Sequence, residues 1–411
     1  MRRSQPESIS DDLRVYYAWA VFGPEEEAAV SRFLKSRKLL SGGEYTRQFE
    51  SQVALLFGKK FGLMVNSGSS ANLIATELLR LEKGSEVITP VLTFSTTVAP
   101  LLQKDLKPVF VDVHPGTYQI QTDGIEDVIS GRTGAMVVPS LLGNIPDMRS
   151  LREIADRAEV CYVEDSCDTI GARFAGRPTG TYSDISTSSF YGSHIITACG
   201  GGGLVAFNSD EWWRRARVLR GWGRSSSVDE GEDIQLRFSR GLDGLEYDSK
   251  FVFEEVGYNF WPLEVAAVFG LEQLKRLGDF ADRRRRNFER LTRLFAPFKD
   301  LFTLPIQLDE VETAWLAYPL TIREGAPFSR RDIVTYLEEN NVQTRPIFTG
   351  NVLRQPAFAA MGRGSPAHSF PNADLIMRNG FLIGCHQGLE ESHLRKVETL
   401  IQNFVASHNH A

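Results

Sequence analysis

At 411 residues the chain exceeds the size at which one hydrophobic core normally stops growing, so a single small module is excluded and two domains are expected. Hydrophobic residues at 42% and charged residues at 24% lie in the ordinary globular range, which excludes long disordered arms outside the N-terminal dozen residues and the tail after Val405. A net charge of -6 provides no field to attract a polyanion such as nucleic acid.

No run of 18 apolar residues occurs, and Met1-Arg2-Arg3-Ser4 is not followed by an apolar signal core, so a cytoplasmic protein without a membrane span is expected. After an N-terminal segment, 1–45, short apolar runs stand at 62–65, 86–89, 109–113, 135–139, 161–164, 185–190 and 204–207, separated by helix-length spacers. Runs buried on both faces predict an α/β sheet, mostly parallel, with helices on both faces. Ligands then belong at the carboxyl ends of the strands. This large domain is expected over 46–285, and a smaller α+β C-terminal domain over 286–411. Ser225-Ser226-Ser227 through Gly244 reads as a long polar loop of the kind that serves as a lid. The basic run Arg283-Arg284-Arg285-Arg286 falls in a helical pattern, 274–295, and reads as a solvated face.

Four motifs in this frame carry chemistry. Asn66-Ser67-Gly68-Ser69-Ser70-Ala71-Asn72 follows a strand and opens a helix, presenting free N–H groups to an anion such as a phosphate, or simply capping the helix. Val163-Glu164-Asp165-Ser166-Cys167-Asp168 puts carboxylates at a strand end, where Asp165 can meet a pyridinium N–H, cap a helix or ligate a metal. Ser189-Phe190-Tyr191-Gly192-Ser193-His194 precedes Cys199 and four glycines, 200–203, which allow the backbone to approach a ligand or a neighbouring strand closely. Arg345-Pro346-Ile347 offers a planar guanidinium suited to a carboxylate or diphosphate. The cysteines Cys161, Cys167, Cys199 and Cys385 have neither disulfide-framework nor metal-site spacing.

Together with Gly257-Tyr258-Asn259, these motifs in this order resemble the sugar aminotransferase family of fold-type I pyridoxal-phosphate enzymes, over residues 13–400. In most of that family the place of His194 belongs to the lysine that forms the Schiff base with the cofactor. This chain has no lysine between Lys107 and Lys250, and imidazole forms no stable Schiff base. The same replacement marks the branch that deoxygenates sugars, the 3-dehydratases of 4-keto-6-deoxy hexoses. Cys199 and Cys385 are too scattered for the four-cysteine cluster that one form of that branch carries. The resemblance is therefore to the cluster-free form, the GDP-4-keto-6-deoxymannose 3-dehydratases of lipopolysaccharide O-antigen synthesis. Further matches are Gly221-Trp222-x-Arg224, Phe251-Val252-Phe253, Pro262-Leu263-Glu264, Thr349-Gly350-Asn351 and His386-Gln387.

The resemblance implies pyridoxal or pyridoxamine phosphate held without a covalent bond, with L-glutamate as amino donor and a nucleotide-linked keto sugar as substrate. Gly68, Ser69 and Ser189 would hold the phosphate, Asp165 the ring nitrogen, Phe94 the ring face, and Asp168 a further cofactor contact. Asn259 would complete the partner's phosphate site in a homodimer. Trp222, Arg224, Arg345, Asn351 and His386 would contact substrate, with His194 as the acid–base residue. Two positions depart from the family: Cys199 stands for a glutamate and Phe94 for a tryptophan. Amine transfer instead of deoxygenation, or a non-catalytic role, would also suit a chain that has lost the lysine.

Overall fold

A computed structural model describes residues 12–227, 237–238, 241–362 and 369–408. Seven strands form the central sheet: β1 Phe61–Val65, β2 Glu86–Pro90, β3 Lys107–Val111, β4 Thr133–Pro139, β5 Cys161–Asp165, β6 Ile185–Ser189 and β7 Gly203–Phe207. Their spatial order is β1-β7-β6-β5-β4-β2-β3, and β7 alone runs antiparallel to its neighbours. The sheet is therefore mostly parallel, as expected. The third run begins and ends two residues earlier than predicted, because Val113 leaves the ladder to bridge Ile120.

Strand side chains alternate between two cores, as a pleat with both faces covered requires. Leu63, Val65, Ala135, Val137 and Val163 face helices α3 (Gly68–Leu78), α4 (Ser95–Gln103) and α6 (Asp210–Arg220). On the other face Met136, Val138 and Tyr162 pack on α5 (Met148–Ala158), while Met64, Leu204 and Ala206 pack on α2 (Glu44–Leu56) and α7 (Glu264–Lys275).

The 274–295 pattern resolves into the end of α7 and a separate helix, α8 (Leu277–Phe295). The expected division at 285 and 286 lies within α8, which runs unbroken from the sheet-side core at Phe280 to the core of the C-terminal elements at Leu291, Leu294 and Phe295. Beyond it lies an antiparallel sheet of β8 (Phe302–Thr303), β9 (Tyr318–Ile322) and β10 (Gly380–Ile383), covered by α9 (Arg330–Glu339), α10 (Pro371–Asn379) and α11 (Glu391–His408). The N-terminal segment divides: Val15 bridges Val342 in this lobe, while Pro24–Ser36 packs on α7 through Ala29, Phe33 and Val268. The helix α11 carries the tail past Val405 to His408. Most of the loop expected over 225–244 lies outside the described residues. Among the described residues no helix is long and apolar enough to cross a membrane, and no cluster of side chains suits a metal ion.

The basic run is a solvated face at Arg283, Arg285 and Arg286, as read from the sequence, and departs from that reading at Arg284. Arg284 is fully buried, because it shares the inner stripe of α8 with Phe280, Asn287 and Leu291.

Entry to α2 depends on a distant carboxylate. Its N-cap, Gly43, has no capping side chain. Glu264, 1% exposed, accepts instead from the N–H groups of Gly43 (2.8 Å), Tyr45 (3.0 Å) and Thr46 (2.9 Å), and from the Thr46 hydroxyl. A Cβ on Gly43 would lie 2.7 Å from Glu264 Oε2, so the cap demands glycine there. Truncation by Glu264→Ala strands these donors and should cost about 2 kcal/mol or more, read as a lower unfolding midpoint. An unchanged midpoint would show that α2 is capped by other means.

Candidate active site

The site forms where the carboxyl ends of β5 and β6 meet the N-terminus of α3. Ser67 caps α3 by accepting from Ser70 N (3.1 Å), and Ala71 N is bonded to Ser67 O. The N–H groups of Gly68 and Ser69 remain open at the positive end of the helix dipole. Close packing brings Ser189 to this end. A Cβ on Gly68 would lie 2.6 Å from Ser189 Cβ and 2.8 Å from Cys167 Sγ. Of the roles open to the glycine run, Gly203 serves the approach to a neighbouring strand, since a Cβ there would meet Ser67 O at 2.2 Å. Two N–H groups and a hydroxyl thus form a cradle with the chemistry of a phosphate site.

Asp165 ends β5 and is 4% exposed. Its Oδ2 accepts from Asn72 Nδ2 (2.8 Å) and Thr97 Oγ1 (2.8 Å), and Thr187 Oγ1 donates to Asn72 Oδ1 (2.6 Å). Oδ1 takes a long bond from Cys167 N (3.2 Å), and the Cys167 thiol also bonds to this carboxylate. One oxygen is therefore saturated and the other keeps capacity for an N–H donor, which suits a pyridinium nitrogen. The sequence reading passed over Asn72, Thr97 and Thr187. Asn72 carried a usable signal, as a polar side chain on the inward face of a helix otherwise lined by Ala71, Ile74 and Ala75.

His194 sits on the turn after β6, anchored by the buried side chains of Ile195 and Ile196. Its Nδ1 lies 3.2 Å from Ser189 O, so this nitrogen carries the hydrogen and the Nε2 lone pair is free. Nε2 is 4.0 Å from Asp168 Oδ1, and the two side chains are only 16% and 11% exposed. Asp168 Oδ2 accepts from Leu142 N (2.9 Å). Burial pushes His194 down to about 4, helped by the positive charge of Arg284 and opposed by the bond to Ser189. Burial pushes Asp168 up to about 7, with a smaller push from the Asp165 charge. A neutral base thus faces a carboxyl group that titrates near neutrality.

The structure brings Gly68, Ser69, Asp165, Asp168, Ser189 and His194 together. Phe94 is half exposed at the start of α4, three residues before Thr97, with its ring edge-on to Phe348 at 6.0 Å. Trp222, with a left-handed φ of 64°, carries the Arg224 guanidinium 4.4 Å over its ring, and Gly221 beside it bridges the exposed Asn259. Arg345 is exposed, 4.9 Å over the Tyr17 ring. Cys199 is exposed at a positive φ of 56°.

Asn351 and His386, expected to contact substrate, are both buried, with their polar atoms engaged within the chain. Asn351 Nδ2 donates to Asp374 (2.8 Å) while its Oδ1 accepts from Leu353 N (3.0 Å). His386 lies against Tyr16 O through Nε2 (3.0 Å) and accepts from Gly388 N at Nδ1 (3.2 Å), and burial pushes it down to about 3. Both residues fasten neighbouring segments.

A lysine does approach β6, but at the wrong end. Lys59 Nζ donates to the carbonyls of Ser183 and Asp184, ahead of the strand, roughly 16 Å along the chain direction from Ser189.

Comparison with known proteins identifies the family and the fold. The model of the DegT/DnrJ/EryC1/StrS aminotransferase family matches residues 21–402. The dTDP-4-dehydro-2,6-dideoxy-D-glucose 3-dehydratase of Saccharopolyspora spinosa is 36% identical over 98% of this chain and 89% of its own. A solved GDP-4-keto-6-deoxymannose-3-dehydratase with a trapped PLP-glutamate geminal diamine superposes with a TM-score of 0.83 at 29% identity, covering 94% of this chain and 99% of that one. An amine-transferring relative, GDP-perosamine synthase of Caulobacter vibrioides, is 26% identical over 95% of this chain and 98% of its own.

The cradle can be tested directly. Gly68→Ala forces α3 away from Ser189, an overpacking cost of about 1–3 kcal/mol. Affinity for pyridoxal phosphate should fall roughly tenfold to a hundredfold, measured by absorbance titration. Unchanged affinity would remove the cradle as the phosphate site.

Proposed function

The chain belongs to the DegT/DnrJ/EryC1/StrS aminotransferase family of pyridoxal-phosphate-dependent enzymes, and on that premise we propose that it removes the 3-hydroxyl of a nucleotide-linked 4-keto-6-deoxy hexose. The observation that carries this reading is His194: a neutral, half-buried imidazole with Nε2 free, in the turn after β6, where no lysine is at hand.

Bound in this site, the amine form of the cofactor supplies a nitrogen that condenses with the sugar ketone and a ring that accepts electron density. Gly68, Ser69 and Ser189 would hold its phosphate, Asp165 Oδ1 would accept from its ring nitrogen, and Phe94 would cover its ring. His194 Nε2 takes the proton released next to the amine and delivers a proton to the departing hydroxyl. Asp168, 4.0 Å away, stabilises the imidazolium in between. The solved relative with trapped PLP-glutamate supports L-glutamate as the donor that restores the amine.

Asn259, Phe251, Phe253 and Val256 are exposed on one stretch of chain, Val256 at 96%. An apolar patch beside a predicted phosphate contact supports a homodimer in which Asn259 serves the partner's site. Arg345, Trp222 and Arg224 are left as contacts for the nucleotide sugar, and the cytoplasm, where such sugars are made, as the place of action.

A second reading, amine transfer, is favoured by the perosamine synthase likeness. Product mass separates the two. With glutamate and a panel of nucleotide-linked 4-keto-6-deoxy hexoses, the expected product is a keto sugar lighter than its substrate by one oxygen. An amino sugar would overturn the reading. His194→Lys should lower formation of the 3-deoxy product by about 10²–10⁴-fold.

The pH dependence has a defined sign. Since His194 is pushed down to about 4 and Asp168 up to about 7, the imidazole is already neutral when Asp168 ionises. The rate should therefore rise with pH through about 7, as Asp168 gains the charge that stabilises the imidazolium. Asp168→Asn should abolish that rise and lower the plateau. A variant that keeps the rise would assign it to another group.

A further inference from the structure

Arg284 occupies a position on the inner stripe of α8 that an apolar residue would fill more cheaply. It is fully buried, no carboxylate pairs with it among the described residues, and its Nη2 has no hydrogen-bond partner there. A guanidinium without a counter-charge is costly to bury. Stability alone does not account for it.

Two chains of hydrogen bonds leave this side chain. Along the first, Arg284 Nε donates to Gln387 Oε1 (2.6 Å), and Gln387 Nε2 donates to the carbonyl of Ile195 (3.0 Å), the residue after His194. Along the second, Arg284 Nη1 donates to the carbonyls of Leu316 (2.9 Å) and Trp315 (3.1 Å). Leu316 N then donates to Leu142 O (2.8 Å), and Leu142 N to Asp168 Oδ2 (2.9 Å). The crossing at Leu142 is tight. Leu142 has a left-handed φ of 65°, and a Cβ on Gly143 would lie 2.5 Å from Leu316 N. The first chain ends on the residue that follows His194 and the second on Asp168, and the facing atoms of His194 and Asp168 are 4.0 Å apart.

We propose that Arg284 is a positioning residue for the His194–Asp168 pair, holding one partner through Gln387 and the other through Leu316 and Leu142. It rests on the reading of His194 as the acid–base group. Its charge acts with burial to keep His194 neutral. Among the described residues the other ionisable groups set around the pair and the guanidinium are Asp165, Cys167, Tyr191, whose ring lies edge-on to His194, Cys385 and His386.

Three variants of the holoenzyme separate geometry from charge. Arg284→Met removes both, Arg284→Lys keeps the charge and loses the fork, and Gln387→Leu cuts the first chain alone. The readouts are the His194 imidazole titration by NMR, the rate of the cofactor's aldehyde-to-amine absorbance change with glutamate, and kcat and KM taken separately. Arg284→Met should move the His194 titration up from about 4, with burial still holding it below the ordinary imidazole range. It should also lower kcat on the order of 10²-fold with little change in KM. Arg284→Lys and Gln387→Leu should lower kcat while leaving the titration nearly in place. If Arg284→Met does not fold, those two variants decide. Unaltered kcat and titration in folded variants would overturn the proposal. Should the parent enzyme not deoxygenate, the titration and the glutamate half-reaction still report the coupling, so the two failures are distinguishable.

Discussion

A buried negative charge organises this site. Asp165 is 4% exposed at the end of β5, and a carboxylate in that position must be satisfied by directed donors. Asn72 from α3 and Thr97 from α4 supply them, and Thr187 from β6 orients the Asn72 amide in turn. Two helices and two strands are thereby tied to one oxygen. The rotation of α3 that brings Asn72 to Asp165 also turns the open N–H groups of Gly68 and Ser69 toward Ser189. The anion cradle and the ring-nitrogen acceptor are parts of one arrangement.

One cause acts in opposite directions on the two groups beside it. Withdrawal from water disfavours charge, which lowers the imidazole of His194 and raises the carboxyl of Asp168. Two facing groups that would ordinarily form an ion pair instead meet with the imidazole uncharged. Such a pair can take up a proton and give it back without a large change in free energy. The missing lysine completes the arrangement, because nothing in the turn after β6 competes with the imidazole for the same space.

Much of this was legible in the sequence, for identifiable reasons. The strands announce themselves because both faces are buried, and only the edges slipped, as at Val113, where a bridge draws the chain out of its ladder. Asp165, Ser189 and His194 were readable because their backbone positions are set by strand ends. Arg284 was misread, since four consecutive arginines look like a solvated surface. Helical spacing held the correction: Phe280, Arg284, Asn287 and Leu291 recur at intervals that place them on one face. For Asn351 and His386, sequence likeness does not show which polar atoms the fold has already engaged. Glu264 as the cap of a helix more than 200 positions earlier in the chain has no local signal at all.

The unbroken course of α8 through both lobes bears on how the protein comes apart. Its guanidinium at position 284 grips carbonyls at 315 and 316 and the amide of Gln387, all contributed by the chain beyond the helix. Parting the lobes while the helix survives would leave those carbonyls and a naked cation in a half-opened, poorly solvated seam. That intermediate is penalised relative to both the closed and the wholly unravelled chain. The lobes are therefore bound into one cooperative unit, with little room for a stable species in which the smaller lobe has melted and the sheet has not.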